Sequence, residues 1–296
     1  MITIMGASGK TGGFAAHGLL EQGQEVRVIA RSKDHLKTLV DKGAEPAVGD
    51  AADAGFLARA FRDSDAVYTL IPPNVAHPDV PAYMEQIGEA TIKAIKDSSV
   101  THVVFLSSIG ADRASGTGPI ALLHRQEKRL ASVPGLNVLA LRPAYFFENH
   151  FMSLPLIKHQ GINGSAMAGH NAFPQIATKD IGAAAAQALG ARDFKGSSVR
   201  ELLGSRDLSL DEVTRIMGAA IGKPDLKYVQ FPYEAAFDAM LSAGLSKSMS
   251  TLYSEMARAF NDGLVKSVEG RNARNTTPTR FEDFVTQTLA PAYRAQ

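Results

Sequence analysis

Ile2-Thr3-Ile4-Met5-Gly6-Ala7-Ser8-Gly9-Lys10-Thr11-Gly12-Gly13 opens the chain as an apolar run that passes through glycines spaced three apart into a helical pattern. Gly6 permits a tight turn at the end of a strand. Gly9 lets backbone come close to a diphosphate, and Gly12 lets the following helix pack hard against the strand. The first turn of that helix then offers free N–H groups and a partial positive charge to phosphate oxygens. Glycine spacing alone is a weak signal; a strand before it and a helix after it make it specific. The competing reading is a tight turn with packing glycines and no ligand. Lys10 does not mark a nucleotide triphosphatase, because the G-x-x-x-x-G-K-[ST] spacing is not met.

Beyond this loop, short apolar runs alternate with longer amphipathic ones. The expected strands are Ile2–Met5, Glu25–Ala30, Glu45–Val48, Ala66–Ile71, His102–Ser107 and Asn137–Arg142. Helices are expected at Lys10–Gln22, His35–Lys42, Ala54–Phe61, Val80–Asp97 and Ile120–Ala131. Such alternation argues for a parallel sheet covered by helices, a doubly wound Rossmann-type α/β fold. Right-handed crossovers then put the ligand loops at the carboxyl ends of the strands. Residues 1–150 form the dinucleotide-binding domain in this reading, and 175–204 return to it.

The pattern changes after Arg142. Phe146–Asn171 reads as loop-rich. A helix is expected at Asp180–Leu189, with Lys179 or Asp180 as N-cap, then a strand at Val199–Leu203. A further helix at Leu210–Ile221 follows Ser209, which with Glu212 makes a capping-box pattern. A strand at Lys227–Phe231 and two or three helices complete the chain. Residues 151–296 therefore read mainly as a smaller mixed α/β lobe for a substrate.

Composition narrows the function classes. With 45% apolar and 21% charged residues and no cysteine, the chain is an ordinary globular protein without disulfides or thiol chemistry. The formal charge is +1 and the basic residues are scattered, so direct nucleic-acid binding is not expected. No run is long and apolar enough for a membrane span. The glycine loop begins at Gly6, which leaves no room for a signal peptide, and the cytoplasm is the expected location. Metal and hydrolase chemistry lack an anchor, because neither H-E-x-x-H nor G-x-S-x-G occurs.

A site preferring NAD usually places an acidic residue at the end of the second strand for the ribose 2′-hydroxyl. Here that strand ends Ala30-Arg31-Ser32-Lys33. The guanidinium of Arg31 is a fork of donors suited to a 2′-phosphate, with Lys33 as a second charge, so the cofactor expected is NADP(H). Otherwise Arg31 is a solvated loop charge. Asp50, just past the third strand, is placed either for the adenine amino group or as an N-cap.

Several segments together resemble the NmrA-like family, an atypical branch of the short-chain dehydrogenase/reductases. They are Gly6-Ala7-Ser8-Gly9-Lys10-Thr11-Gly12, Arg31-Ser32, Ser107-Ser108-Ile109-Gly110, and Leu141-Arg142-Pro143-Ala144-Tyr145-Phe146-Phe147-Glu148-Asn149. Thr178-Lys179-Asp180-Ile181-Gly182 and Thr279-Arg280-Phe281-Glu282-Asp283-Phe284 add to the likeness, which spans essentially the whole chain. The resemblance implies a Rossmann domain with a small C-terminal substrate lobe and a cleft between them. It implies either an NADPH-dependent reductase of quinones, dyes or other conjugated acceptors, or a catalytically weak NADP(H) sensor acting through a protein partner. A homodimer is compatible with both.

Short-chain reductases pair a Tyr with a Lys four residues later, and this chain departs from that pattern. His124 stands at the Tyr-like position and Lys128 at the Lys-like one, on one helical face. Lys128 would hold the nicotinamide ribose, and His124 would donate a proton. The alternative is an exposed helical pair. Ser107 and Ser108 end the fifth strand, where they would face cofactor and substrate carbonyl. Ile71 and Pro72 would run past the nicotinamide after the fourth. Tyr145, Phe147 and Asn149 are candidates for the cleft wall, though aromatics there more often pack. An activated acceptor needs little acid catalysis, so the missing Tyr is tolerable for a small-molecule substrate of that kind.

Overall fold

The computed structural model describes residues 1–295. Its first half alternates strictly between strand and helix. The elements are β1 (Ile2–Ile4), α1 (Lys10–Glu21), β2 (Val26–Ala30), α2 (Lys37–Val40), β3 (Glu45–Val48), α3 (Ala54–Phe61), β4 (Ala66–Thr69), α4 (Val80–Lys96), β5 (His102–Leu106), α5 (Pro119–Ala131) and β6 (Asn137–Pro143). The second half holds β7 (Tyr145–Phe146), α6 (Leu154–Gln160), β8 (Ile162–Ser165), β9 (Phe173–Ile176), α7 (Thr178–Ala191), β10 (Ser197–Leu202), β11 (Asp207–Leu208), α8 (Leu210–Ala220), β12 (Lys227–Gln230), α9 (Tyr233–Ser242) and α10 (Lys247–Asn261). The C-terminal helix runs as α11 (Phe281–Phe284), a π-turn (Val285–Leu289) and α12 (Ala290–Ala295).

Seven strands form one parallel sheet in the order β10-β6-β5-β4-β1-β2-β3. The order reverses beside β1, which opens a crevice at the carboxyl ends of β1 and β4. The central strands are buried on both faces, as Ile4, Val67, Val104 and Leu141 show. Two apolar layers result. One packs α1 and α7 on the sheet through small residues such as Ala15, Ala185 and Ala186. The other packs α3, α4 and α5 through Leu57, Phe61 and Leu130. A third cluster, around Phe147, Val213, Phe281 and Leu289, is the core of the C-terminal lobe.

Some boundaries differ from the sequence expectation. β4 stops at Thr69 rather than Ile71, because Pro72 and Pro73 lack the donors a central strand needs. His35–Lys42 is a 3-10 turn (Asp34–Leu36) followed by the short α2. The stretch 146–171 is structured, holding part of β7, a 3-10 turn (Phe147–Ser153), α6 and β8. α7 begins at Thr178, and neither Lys179 nor Asp180 caps it. Glu148 accepts hydrogen bonds from Thr178 N at 3.1–3.2 Å, while Asp180 binds Thr279 N (3.0 Å) and Thr279 Oγ1 (2.6 Å). Ser209 does cap α8, accepting from Glu212 N at 3.2 Å, but the Glu212 carboxylate pairs with Arg206. Among the described residues no helix is long and apolar enough to cross a membrane.

Candidate functional site at the carboxyl edge of the sheet

The turn from β1 to α1 is built on constraints that only glycine meets. Gly6 has φ +64°, the left-handed region, and a side chain on it would press on Leu70. A Cβ on Gly12 would lie 2.5 Å from the Gly6 carbonyl oxygen and 3.0 Å from that of Met5. Gly9 N donates to Gly6 O (2.9 Å), and Gly9 O accepts from Gly13 N (2.8 Å). Gly9 is also the N-cap of α1, so no side chain caps that helix, and its first turn holds no carboxylate. By contrast Asp53, Asp79, Ser209 and Ser246 cap α3, α4, α8 and α10. Ser8, Gly9 and Lys10 are exposed around this uncapped end, while Thr11 and Gly12 are buried. The Lys10 ammonium lies over the Phe151 ring, 4.5 Å from its centroid, and so turns toward the second lobe.

At the end of β2, Arg31 and Lys33 are exposed. Asp50 follows β3; its carboxylate accepts from Ala52 N at 2.9 Å and does not cap α3, since Asp53 holds that position. Sequence reasoning missed Tyr83, on the first turns of α4. Burial raises its phenol pKa, the Asp50 carboxylate raises it further, and Arg31 opposes both. Both Asp50 and Arg31 thus lie within electrostatic reach of Tyr83, and His77 stands against Tyr83 at 5.3 Å between ring centroids.

Ile71 and Pro72 lie half-buried in the loop after β4. That loop is tied to the second lobe: Val75 O accepts from Ser246 N (2.9 Å), and Val80 N donates to Ser248 Oγ (3.1 Å). Past β5, Ser107 is buried and its hydroxyl donates to Glu127 Oε1 at 2.5 Å. Arg142, at the end of β6, holds the same carboxylate in a two-point clamp at 2.9 and 2.6 Å. Sequence reasoning missed Glu127 on α5. The helix presents Glu127 to Ser107, and Lys128, about 100° further round, is exposed. His124 Nδ1 lies 2.7 Å from the Ala111 carbonyl, which only accepts, so Nδ1 carries the proton and Nε2 the lone pair when the ring is neutral. Ser108 Oγ donates to the Ile109 carbonyl at 2.9 Å and stays half-exposed.

Beyond β6 lies a packed aromatic cluster. Tyr145 packs edge-on against Phe173 (5.6 Å) and Phe260 (6.0 Å). Burial drives its phenol pKa far above the usual range, Tyr228 and Tyr253 add to the shift, and the Asn149 side chain beside it works the other way. Phe147 is not part of this wall. It is 1% exposed and packs on Phe281 and Phe284, because the chain enters its 3-10 turn there and turns this ring into the lobe core. Tyr253, which sequence reasoning also missed, lies two turns before Phe260 on one face of α10. Burial raises its phenol pKa.

This architecture has known counterparts. An NADPH-dependent quinone oxidoreductase of Escherichia coli, solved with NADPH, superposes with a TM-score of 0.76 at 21% identity, over 100% of this chain and 99% of that one. A triphenylmethane reductase of Citrobacter sp., solved with NADP(H), gives 0.79 at 20% identity, over 98% and 100%. NmrA, a negative transcriptional regulator solved with NADP, gives 0.71 at 13% identity, over 99% and 96%. At such identities the likeness is one of fold. Among curated proteins no sequence matches. The NmrA-like family model, however, matches residues 1–285. The chain belongs to the NmrA-like family.

Proposed function

We propose that the protein binds NADP(H) along the carboxyl edge of its sheet and reduces a small conjugated acceptor, a quinone or a compound of similar reactivity. The observation that carries this reading is the glycine turn. Gly12 packs so close to Gly6 O that α1 must end at the strand, with the backbone of Ser8 to Lys10 and no capping side chain at its tip. A helix end of this kind suits a diphosphate. Arg31 meets the 2′-phosphate, while Asp50 and Tyr83 frame the adenine. The relatives solved with NADPH or NADP support the same choice of cofactor.

The bound dinucleotide supplies the hydride. The chain's own residues orient and enclose. Ser107, Glu127 and Arg142 lock one another, which fixes the floor under the nicotinamide end rather than offering a proton. Tyr145, Phe173 and Phe260 give a flat acceptor an apolar wall. Tyr253 Oη donates to the acceptor's carbonyl oxygen. An acceptor already activated toward hydride asks for little more than alignment and exclusion of water.

The test is NADPH consumption, followed by its absorbance, against a panel of quinones, conjugated dyes and simple ketones. Turnover restricted to activated acceptors supports the reading. Tight binding of both redox forms with no turnover on any acceptor replaces it with a sensor that works through a protein partner.

A further inference from the structure

We infer that the outer flank of α1 carries a second binding site, for a small organic anion with a flat apolar body. A cavity of about 420 Å3 opens there, within the range of small-molecule sites. It reaches from the glycine loop along α1 to His17, and is lined as well by His35 and Thr38 and by Lys179, Gln287 and Thr288. Arg31, Asp50, Leu70 and Ser107 take no part in its lining, so it is not the strand-end crevice; the two share only the wall Ala7–Lys10.

Its charge balance selects an anion. Lys10 and Lys179 both line it. The Lys42 ammonium sits 3.2 Å from His17 Nδ1. An ammonium only donates, so Nδ1 holds the lone pair and the ring proton is on Nε2, leaving His17 a donor. The one carboxylate of the lining, Glu148, is occupied by the first N–H of α7 and by the Thr178 hydroxyl. Phe14, 44% exposed, and Phe284 supply aromatic surface beside these donors. Cationic donors next to ring faces suit an aryl carboxylate or aryl phosphate.

The inference does not depend on the proposed reaction, and 2-naphthoate is the probe. Calorimetric titration of the intact protein is run with 2-naphthoate, with the uncharged 2-naphthalenemethanol and with inorganic phosphate. The expected result is saturable naphthoate binding that persists at saturating NADPH and exceeds that of either control. It should weaken about tenfold in Lys179→Gln and in His17→Gln, with NADPH affinity unchanged in both variants. The inference is overturned by absent naphthoate binding, by equal binding in the variants, or by displacement with NADPH but not NADH. That last pattern makes the cavity the seat of the 2′-phosphate.

Discussion

Replacing Gly12 with Ala perturbs the cofactor turn at its tightest point. On an open helix the change is favourable, because Ala is the better helix former by about 1 kcal/mol. Here the new methyl carbon meets Gly6 O at 2.5 Å, nearly 1 Å inside the 3.4 Å at which such contact is ordinary. The obstructing atoms are backbone, so no rotamer relieves them. The start of α1 must move away from β1, at an overpacking cost of roughly 1–3 kcal/mol. Set against the propensity gain, the net loss is up to about 2 kcal/mol, or as much as a few degrees in Tm. The functional loss is larger in proportion, since the N–H groups at the tip move with the helix. NADPH affinity should fall at least about tenfold, two charge-assisted hydrogen bonds being worth more than that. Gly190→Ala in α7 is the control, because its Cβ would meet only the tip of Gln22 at 3.2 Å and Leu19 at 3.9 Å. It should keep or slightly raise Tm. Thermal scans and NADPH titrations of the two variants side by side decide the matter; a Gly12→Ala protein with wild-type Tm and affinity refutes the reasoning.

Three other outcomes are expected. Glu127→Ala strands Arg142, whose clamp is only 12% exposed, and should cost about 3 kcal/mol in urea unfolding; a loss below about 1 kcal/mol would show the clamp to be dispensable. Tyr253→Phe should lower kcat about tenfold or more on carbonyl acceptors while NADPH affinity holds, and unchanged kcat removes the phenol from the reaction. Burial pulls the His150 imidazole down to about 4, so from its ordinary value near 6.5 down to about 4 the unfolded chain takes up a proton that the folded one refuses. Stability should therefore drop by about 3 kcal/mol across that window from this group alone and level off below it. His150→Gln should show a shallower slope between pH 6.5 and 4, and identical slopes would contradict the assignment.

The Rossmann half was legible because its signals are local. A glycine turn, four-residue apolar strands and amphipathic helices each carry their own periodicity, and Arg31 follows β2 at a fixed distance. What escaped was set by rotation or by contacts distant in sequence. On α5, Glu127 stands in no motif, and only Ser107 and Arg142, distant in sequence, reveal that its carboxylate is held between them. Glu148 reaches Thr178 across thirty positions, so the start of α7 could not be read from its own neighbours. Phe146 and Phe147 are adjacent and alike in sequence, yet the 3-10 turn sends Phe147 into the core. Tyr253 sits in a helix with no motif around it; its nearness to Tyr145 emerges only in the fold.

The central claim is that the end of α1 receives a diphosphate whose dinucleotide carries a 2′-phosphate against Arg31. Titrating NADPH and NADH into the protein and into Arg31→Ala tests it most directly. The account predicts that NADPH binds at least about tenfold more tightly than NADH, and that the preference collapses in Arg31→Ala while NADH affinity is kept. Equal affinity for the two cofactors in the unaltered protein, or binding of neither, would contradict it.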